Sequence, residues 1–399
     1  MTEALPAFPM ARAATTPFDP PPQLRDVDRI GRVQIWNGST PWLVTSYKDQ
    51  RAVLADPRFS ADTLKDGYPY QSESILVRRR SARSFIAMDD PDHARLRKML
   101  TGNFVIKRIN ALRPRVQQIV DELIDTMLAG PMPADLVTAF GLPVPSLVIC
   151  ELLGVPYADH EFFQACSSVL IARDTPADEA LAANAKLVAY LTDLVEAKQK
   201  SPTDDMLGQL AAGPLAKGEL TVEEVANMGL LMLIAGHETT ANMISLGTLA
   251  LLQHPDQLAE LRDTDDPGLV AGAVEELLRY LNIVHSGRRR VATEDVEVGG
   301  RLVRAGEGII LANDMGNRDA DAFPDPDRLD IHREARHHVA FGYGVHQCLG
   351  QPLARMELNV VYSTLYRRIP TLRLAIPLED IAFKHNMVVY GVYSLPVAW

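Results

Sequence analysis

The stretch FGYGVHQCLGQPLAR, residues 341–355, decides how this chain is read. One cysteine, Cys348, stands among three glycines, two places after His346 and just before a helix-like run over 351–367. Free amides at a helix N-terminus stabilise a thiolate, and glycine lets a backbone approach a bulky partner closely. A buried inert cysteine has no need of that setting. A Cys–His nucleophile would require His346 to face Cys348, which an i, i−2 spacing in a Gly-rich loop does not ensure. A ligand to a cofactor accounts for more of the stretch.

The chain around it has 399 residues, 47% hydrophobic and 23% charged, an ordinary balance for a globular protein with a substantial core. No Ser/Gly linker, repeat or low-complexity tract marks a boundary. One domain over 1–399 is therefore expected, with 1–28 as an irregular Pro-rich arm. Forty basic against 51 acidic residues leave a net charge of −11, which argues against a nucleic-acid partner. Cys150, Cys166 and Cys348 are widely spaced, fit neither a disulfide framework nor a CxxC metal site, and suit a reducing compartment. No uncharged apolar run reaches about 18 residues, and the N-terminus lacks a signal-peptide core. A cytoplasmic protein without a membrane span is the expectation.

RVQIWNGSTPWLVTSY (32–47) alternates around Asn37-Gly38 and predicts a hairpin. Residues 59–87 show no period, and an irregular stretch of that length is usually a lid or binding loop. From Pro91 to about 200 the pattern is mostly helical; Thr175 reads as an N-cap with Pro176 at the first helical position. The longest helical candidate begins at Thr221, where Thr221 and Glu224 form a capping box, and stops before Pro255. Its roughly 30 residues would span about 45 Å, and it is apolar nearly all round, as a helix through the middle of a protein should be. Strand-like alternation returns around Gly299-Gly300 and over 385–399. The fold class is mainly α with small peripheral β-sheets.

The centre of the long helix reads AGHETT, 235–240. Gly236 costs about 1 kcal/mol relative to Ala in a helix. Glu238, Thr239 and Thr240 put a carboxylate and two hydroxyls into an apolar interior, where polar groups need partners. Two accounts fit: a packing kink with hydroxyls bonded back to carbonyls, or a helix opened against a flat ligand, with Glu238 and Thr239 as a proton relay. Leu231, Ile234 and Ala235 lie on or near the Thr239 face and would form an apolar wall. Glu276 and Arg279, three apart, read by themselves as a surface salt bridge. His93 and Arg97, four apart, form either a solvated basic face or an anion site.

FGYGVHQCLGQPLAR resembles the haem-binding signature of the cytochrome P450s, F-x-x-G-x-x-x-C-x-G-x-x-x-A, at Phe341, Gly344, Cys348, Gly350 and Ala354. AGHETT is similar to the family's central-helix motif, Glu276-x-x-Arg279 to its E-x-x-R, and FPDPDRLD (323–330) to its meander, with Arg328 as third member of a Glu–Arg–Arg set. The four motifs stand in the family's order, and the likeness covers essentially the whole chain. It resembles in particular an actinomycete group acting on polyketides, macrolides, sterol-like molecules and xenobiotics.

That resemblance implies the cytochrome P450 fold, with the long central helix over the haem. It implies a haem-thiolate monooxygenase that inserts one atom of O2 into a C–H bond of a hydrophobic small molecule. A polyketide or macrolide-type natural product or a statin-like acid is the expected substrate, with steroid, vitamin D-like or xenobiotic molecules as the alternative. By the same likeness Cys348 is the axial ligand of haem b, and His93, Arg97, Arg290 and His346 hold its propionates. Glu276, Arg279 and Arg328 are structural. Glu238 and Thr239 are the catalytic acid–alcohol pair. Leu231, Ile234, Ala235, Ile283 and Arg288 fall where the family lines its substrate pocket. Arg78, Arg79, Arg80 and Arg83 fall in the 59–87 loop; one or two of these arginines or Arg288 are candidates to meet a substrate carboxylate. NAD(P)H electrons would arrive through a ferredoxin reductase and a ferredoxin, docked on the cysteine face of a monomer near Arg95, Lys98, Arg333 and Arg336. A non-catalytic haem sensor and a peroxide-driven peroxygenase are the competing readings, and the intact Glu238–Thr239 pair argues against both.

Overall fold

The computed structural model describes residues 4–81 and 84–399. Its longest helix, Val222–Leu252, runs through the centre of the body, buried along most of its length. The start follows the sequence: the Glu224 N–H donates to Thr221 Oγ1 at 3.1 Å, and the Glu224 carboxylate accepts from the Thr221 N–H at 2.8 Å. Helices Pro143–Leu153, Ala177–Lys200 and Gln351–Arg368 pack against it. The last of these follows the Cys348 loop. It comes so close that a Cβ on Gly247 would fall 1.9 Å from the Tyr362 hydroxyl, which donates to the Met243 carbonyl at 2.6 Å.

Sheets lie at the periphery. The largest has five strands in the order Ile30–Arg32, Trp42–Val44, Gly308–Leu311, Arg288–Ala292, Phe59–Ser60. Its first two strands are the expected hairpin, with Ile30 opposite Val44. Only the Trp42–Val44 and Gly308–Leu311 pair is parallel. A three-stranded sheet joins Ala134–Asp135, Pro396–Ala398 and Arg373–Leu374. Val296–Val298 and Arg301–Val303 form a two-stranded hairpin around Gly299 and Gly300, whose φ angles are 55° and 78°. The architecture is mainly α with small peripheral sheets, as the sequence reading expected.

Some segments differ from the sequence reading. The N-terminal arm is tied down: Ala7 bridges to Gln34, and buried Arg12 donates to the carbonyls of Phe18, Leu281 and Asn282. The 59–87 stretch holds a strand and a helix, Glu73–Ser81; the helix escaped notice because ESILVRRRS has no helical apolar stripe. The helix after Thr175 begins at Ala177 with Pro176 as its N-cap; the Thr175 hydroxyl donates instead to the Val169 carbonyl at 2.9 Å. Of the C-terminal stretch only Pro396–Ala398 is a regular strand.

Helix Glu73–Ser81 packs on helix Ala177–Lys200. The Val388 N–H donates to the Ile171 carbonyl at 2.8 Å, and the Arg173 N–H to the Asn386 carbonyl at 3.0 Å. These contacts bring the 59–87 segment, the 160–200 helices and the C-terminal turn together in a closed arrangement.

Candidate active site

The Cys348 loop closes on itself, since the Cys348 N–H donates to the Phe341 carbonyl at 2.9 Å. Gly342 and Gly344 have φ of 75° and 73°, where residues with a side chain are strained. A Cβ on Gly344 would sit 2.3 Å from the Leu54 carbonyl oxygen, and one on Gly342 3.0 Å from Arg288 Nε. Gly350, with φ −79°, would meet nothing nearer than 4.0 Å. Two of the three glycines therefore serve the loop's own turn and its seating, rather than close approach to a flat partner.

Burial pushes the Cys348 thiol pKa up. The amide of Gly350, the cations of Arg288 and Arg97 and the amide of Gln351 all pull the other way. Cys348 still exposes surface. Cys150 and Cys166 are buried in the apolar core, and burial pushes Cys150 up to about 12, as expected of inert thiols.

His93, Arg97, Arg290 and His346 converge beside this loop. The rings of His93 and His346 lie 4.0 Å apart. His93 Nδ1 bonds the Asp90 carboxylate at 2.9 Å, while His93 Nε2 and His346 Nδ1 are buried with no partner among the described residues. Arg97 donates to the Gln347 carbonyl at 2.6 Å. Burial, with the charges of Arg290, His93 and Arg97, pushes His346 down to about 3. Orphaned nitrogens in a cationic setting are what an incoming carboxylate would satisfy, so these residues fit a haem with its two propionates.

Across from them stands the central helix. Ala235 is exposed although it sits mid-helix in the interior, and Leu231, Ile234 and Thr239 are partly open. The helix is unbroken, and the Thr239 hydroxyl donates back to the Ala235 carbonyl at 2.7 Å. Gly236 faces the other way: a Cβ there would lie 2.6 Å from Ile149 Cγ1. The glycine admits helix Pro143–Leu153 and does not open the helix toward a ligand. Glu238 is buried, with His237 Nε2 at 3.5 Å from its carboxylate. Ile283 is buried, and its carbonyl accepts from the Tyr390 N–H at 2.7 Å.

Two expected roles move. Arg288 donates to the carbonyls of Val339 and Ala340, at 3.4 and 2.8 Å, on the Cys348 side. Strand alternation turns 288 and 290 to one face, so Arg288 leaves the substrate wall. The buried Glu276–Arg279 pair is bidentate, both contacts 2.7 Å, and its third member is Arg333, whose Nε lies 3.2 Å from Glu276. Arg328 contributes only its carbonyl. Arg78 donates to the Leu170 carbonyl and Arg79 to Ser84; the Arg80 side chain and Arg83 lie outside the described residues.

The sequence reading missed two groups. Glu275 accepts from Arg355 Nε at 2.6 Å and from His338 at 3.0 Å, and the Arg355 guanidinium covers Phe341 of the Cys348 loop at 4.6 Å. Lys384 Nζ donates to Asn242 Oδ1 at 3.1 Å, within the field of the Glu238 carboxylate. The contact needs Gly391, where a Cβ would fall 1.7 Å from Asn242 Oδ1. Neither Lys384 nor Gly391 stood out in the sequence, where 385–399 read as strand.

The chain belongs to the cytochrome P450 family, whose sequence pattern, described as Cytochrome P450, matches residues 33–369. Cytochrome P450 GfsF of Streptomyces halstedii is 54% identical over 100% of this chain and 97% of that protein; the GfsF crystal structure superposes with a TM-score of 0.92 over 99% of this chain and 100% of the other. Vitamin D3 dihydroxylase of Streptomyces griseolus is 48% identical, covering 100% of this chain and 98% of that protein. The mycinamicin VIII C21 methyl hydroxylase MycCI of Micromonospora griseorubida, solved with mycinamicin VIII, is 40% identical with a TM-score of 0.92, covering 99% of this chain and 100% of the other. The protein is a P450 monooxygenase, and membership implies haem with a thiolate-bound iron and O2 as co-substrate. Among the described residues no helix is long and apolar enough to cross a membrane.

Proposed function

We propose that this monooxygenase hydroxylates a C–H bond of a polyketide or macrolide-type molecule or a statin-like acid, and that Cys348 would hold the iron of haem b through its thiolate. The observation that carries the reading is the meeting of His93, Arg97, Arg290 and His346 beside Cys348, with two buried ring nitrogens lacking partners among the described residues. Carboxylates that enter a protein interior need such donors, and haem brings two. The bound haem supplies the activation of dioxygen. Everything else is asked of the chain. The Gly350 and Gln351 amides, with Arg97 and Arg288, favour negative charge on the Cys348 sulfur against the opposing effect of burial. Thr239 and Glu238 pass protons to the reacting oxygen, with His237 and Lys384 beside the carboxylate. Leu231, Ile234, Ala235 and Ile283 form the apolar wall that orients substrate.

The vitamin D3 dihydroxylase likeness favours a second reading, a steroid or vitamin D-like substrate. In either case one P450 domain acts as a cytoplasmic monomer, fed NAD(P)H electrons by a ferredoxin reductase and a ferredoxin. Lys98 and Arg336 are exposed and free to face that partner, whereas Arg95 is engaged with Glu224 and Arg333 with Glu276. Cys348→His should abolish the reduced-CO band that gives the family its name; its persistence would overturn the ligand assignment. Thr239→Ala should leave substrate binding intact and raise the peroxide released per NADH. Unchanged coupling of NADH use to product would reject the relay.

A further inference from the structure

We propose that the seam where the closing segments meet is a receptor for a carboxylate carried on the substrate, with the Arg289 guanidinium as its anchor. This rests on the monooxygenase reading and narrows the substrate class to elongated, mostly apolar acids.

Arg289 lies on strand Arg288–Ala292. Alternation sends Arg288 and Arg290 toward the Cys348 loop and Arg289 to the opposite face. Its side chain is buried, at 3% exposure. Nη1 donates to the Gly287 carbonyl at 3.1 Å, while Nε and Nη2 are buried and have no acceptor among the described residues. Those two nitrogens form one lateral edge of the guanidinium, the fork that takes a carboxylate with two parallel bonds. The same chain displays that fork filled: Arg279 gives Nε and Nη2 to the two oxygens of Glu276, each at 2.7 Å. Among the described residues Arg289 has no equivalent acid. A buried guanidinium stays charged and is costly when unpaired, so an empty fork calls for an anion.

The surroundings add cations. Arg173 lies within electrostatic reach of Arg289, and so does the Tyr68 ring, which Arg79 also approaches. Arg173 donates one Nη to the His385 carbonyl and keeps a buried, unpartnered Nε of its own. Its neighbouring acid, Asp174, is held by the Asn386 amide at 2.9 Å. Arg173 also lines a cleft of about 490 Å³ with Trp36, Ser72, Ser74, Pro176 and the acids Glu73 and Asp174. Two guanidiniums with unused donors therefore sit where the 59–87 segment, the Ile171–Arg173 turn and the C-terminal turn converge. An anion there satisfies both and bridges the seam.

The test uses haem-loaded protein with decanoic acid and methyl decanoate, which differ in charge at one end. Dissociation constants come from equilibrium dialysis and from the Soret shift. The acid should bind at least about tenfold more tightly than the ester. Arg289→Met should bring the two together by weakening the acid alone, and Arg289→Lys should retain part of the preference. Arg173→Met should reduce the same ratio. Equal affinities in the wild type would overturn the proposal, as would an acid preference that survives Arg289→Met. Failure of the monooxygenase reading has another signature, the absence of the reduced-CO band, and dialysis still scores the acid and ester when that band is missing.

Discussion

Glu275 stands one place before Glu276, and the two carboxylates face different tasks. Glu276 locks Arg279 and Arg333; Glu275 ties Arg355 and His338 around Phe341 of the Cys348 loop. Burial alone would raise the Glu275 carboxyl, but hydrogen bonds from His338 and Arg355 outweigh it and hold it down to about 2, from an ordinary 4.5. A depressed carboxyl stabilises the fold above its unfolded pKa and loses that contribution as pH falls through the folded one. The window is thus pH 4.5 down to about 2, with a contribution on the order of 3 kcal/mol at neutral pH. Glu275→Gln should lower the melting temperature at pH 7 and flatten its acid decline in that window. Parallel declines for variant and wild type would reject the role. At this scale the sequence was informative where a fixed spacing brings two side chains together, as for the Glu276–Arg279 pair. It was silent where partners come from far away in the chain. Nothing near Glu276 tells Arg333 from Arg328 as the residue that folds back to it.

The central helix was legible as an element because its limits are local: a capping box at Thr221 and a proline at 255. Helix Glu73–Ser81 was not, because its residues carry no stripe and it depends on helix Ala177–Lys200 for company. Gly236 illustrates how an element's neighbours reinterpret a residue. In sequence it was a weak point in a helix; in the structure it is the gap that Ile149 fills. Gly236→Ala gains about 1 kcal/mol of helix propensity, yet it forces a carbon to within 2.6 Å of Ile149 Cγ1. Overpacking of this kind costs about 1–3 kcal/mol. The variant should therefore unfold at lower denaturant than wild type, and the loss should shrink in an Ile149→Ala background. An equal loss in both backgrounds would mean that Ile149 is not the obstacle.

The whole molecule carries a net charge of −11, while exposed Lys98 and Arg336 offer positive charge for the electron donor. If an acidic ferredoxin docks through them, the stopped-flow rate of haem reduction should fall as salt rises, and Lys98→Glu with Arg336→Glu should slow it at low salt. A rate indifferent to salt would place docking elsewhere. The motif order disclosed the fold at this scale, but the closed seam was invisible, since it joins residues more than 200 positions apart. The links across it are backbone bonds, from Val388 to Ile171 and from Arg173 to Asn386. A latch made of amides and carbonyls is nearly blind to side-chain identity. The lining of the chamber can therefore drift, and with it the molecule that is accepted, while the door that retains that molecule goes on shutting in the same way.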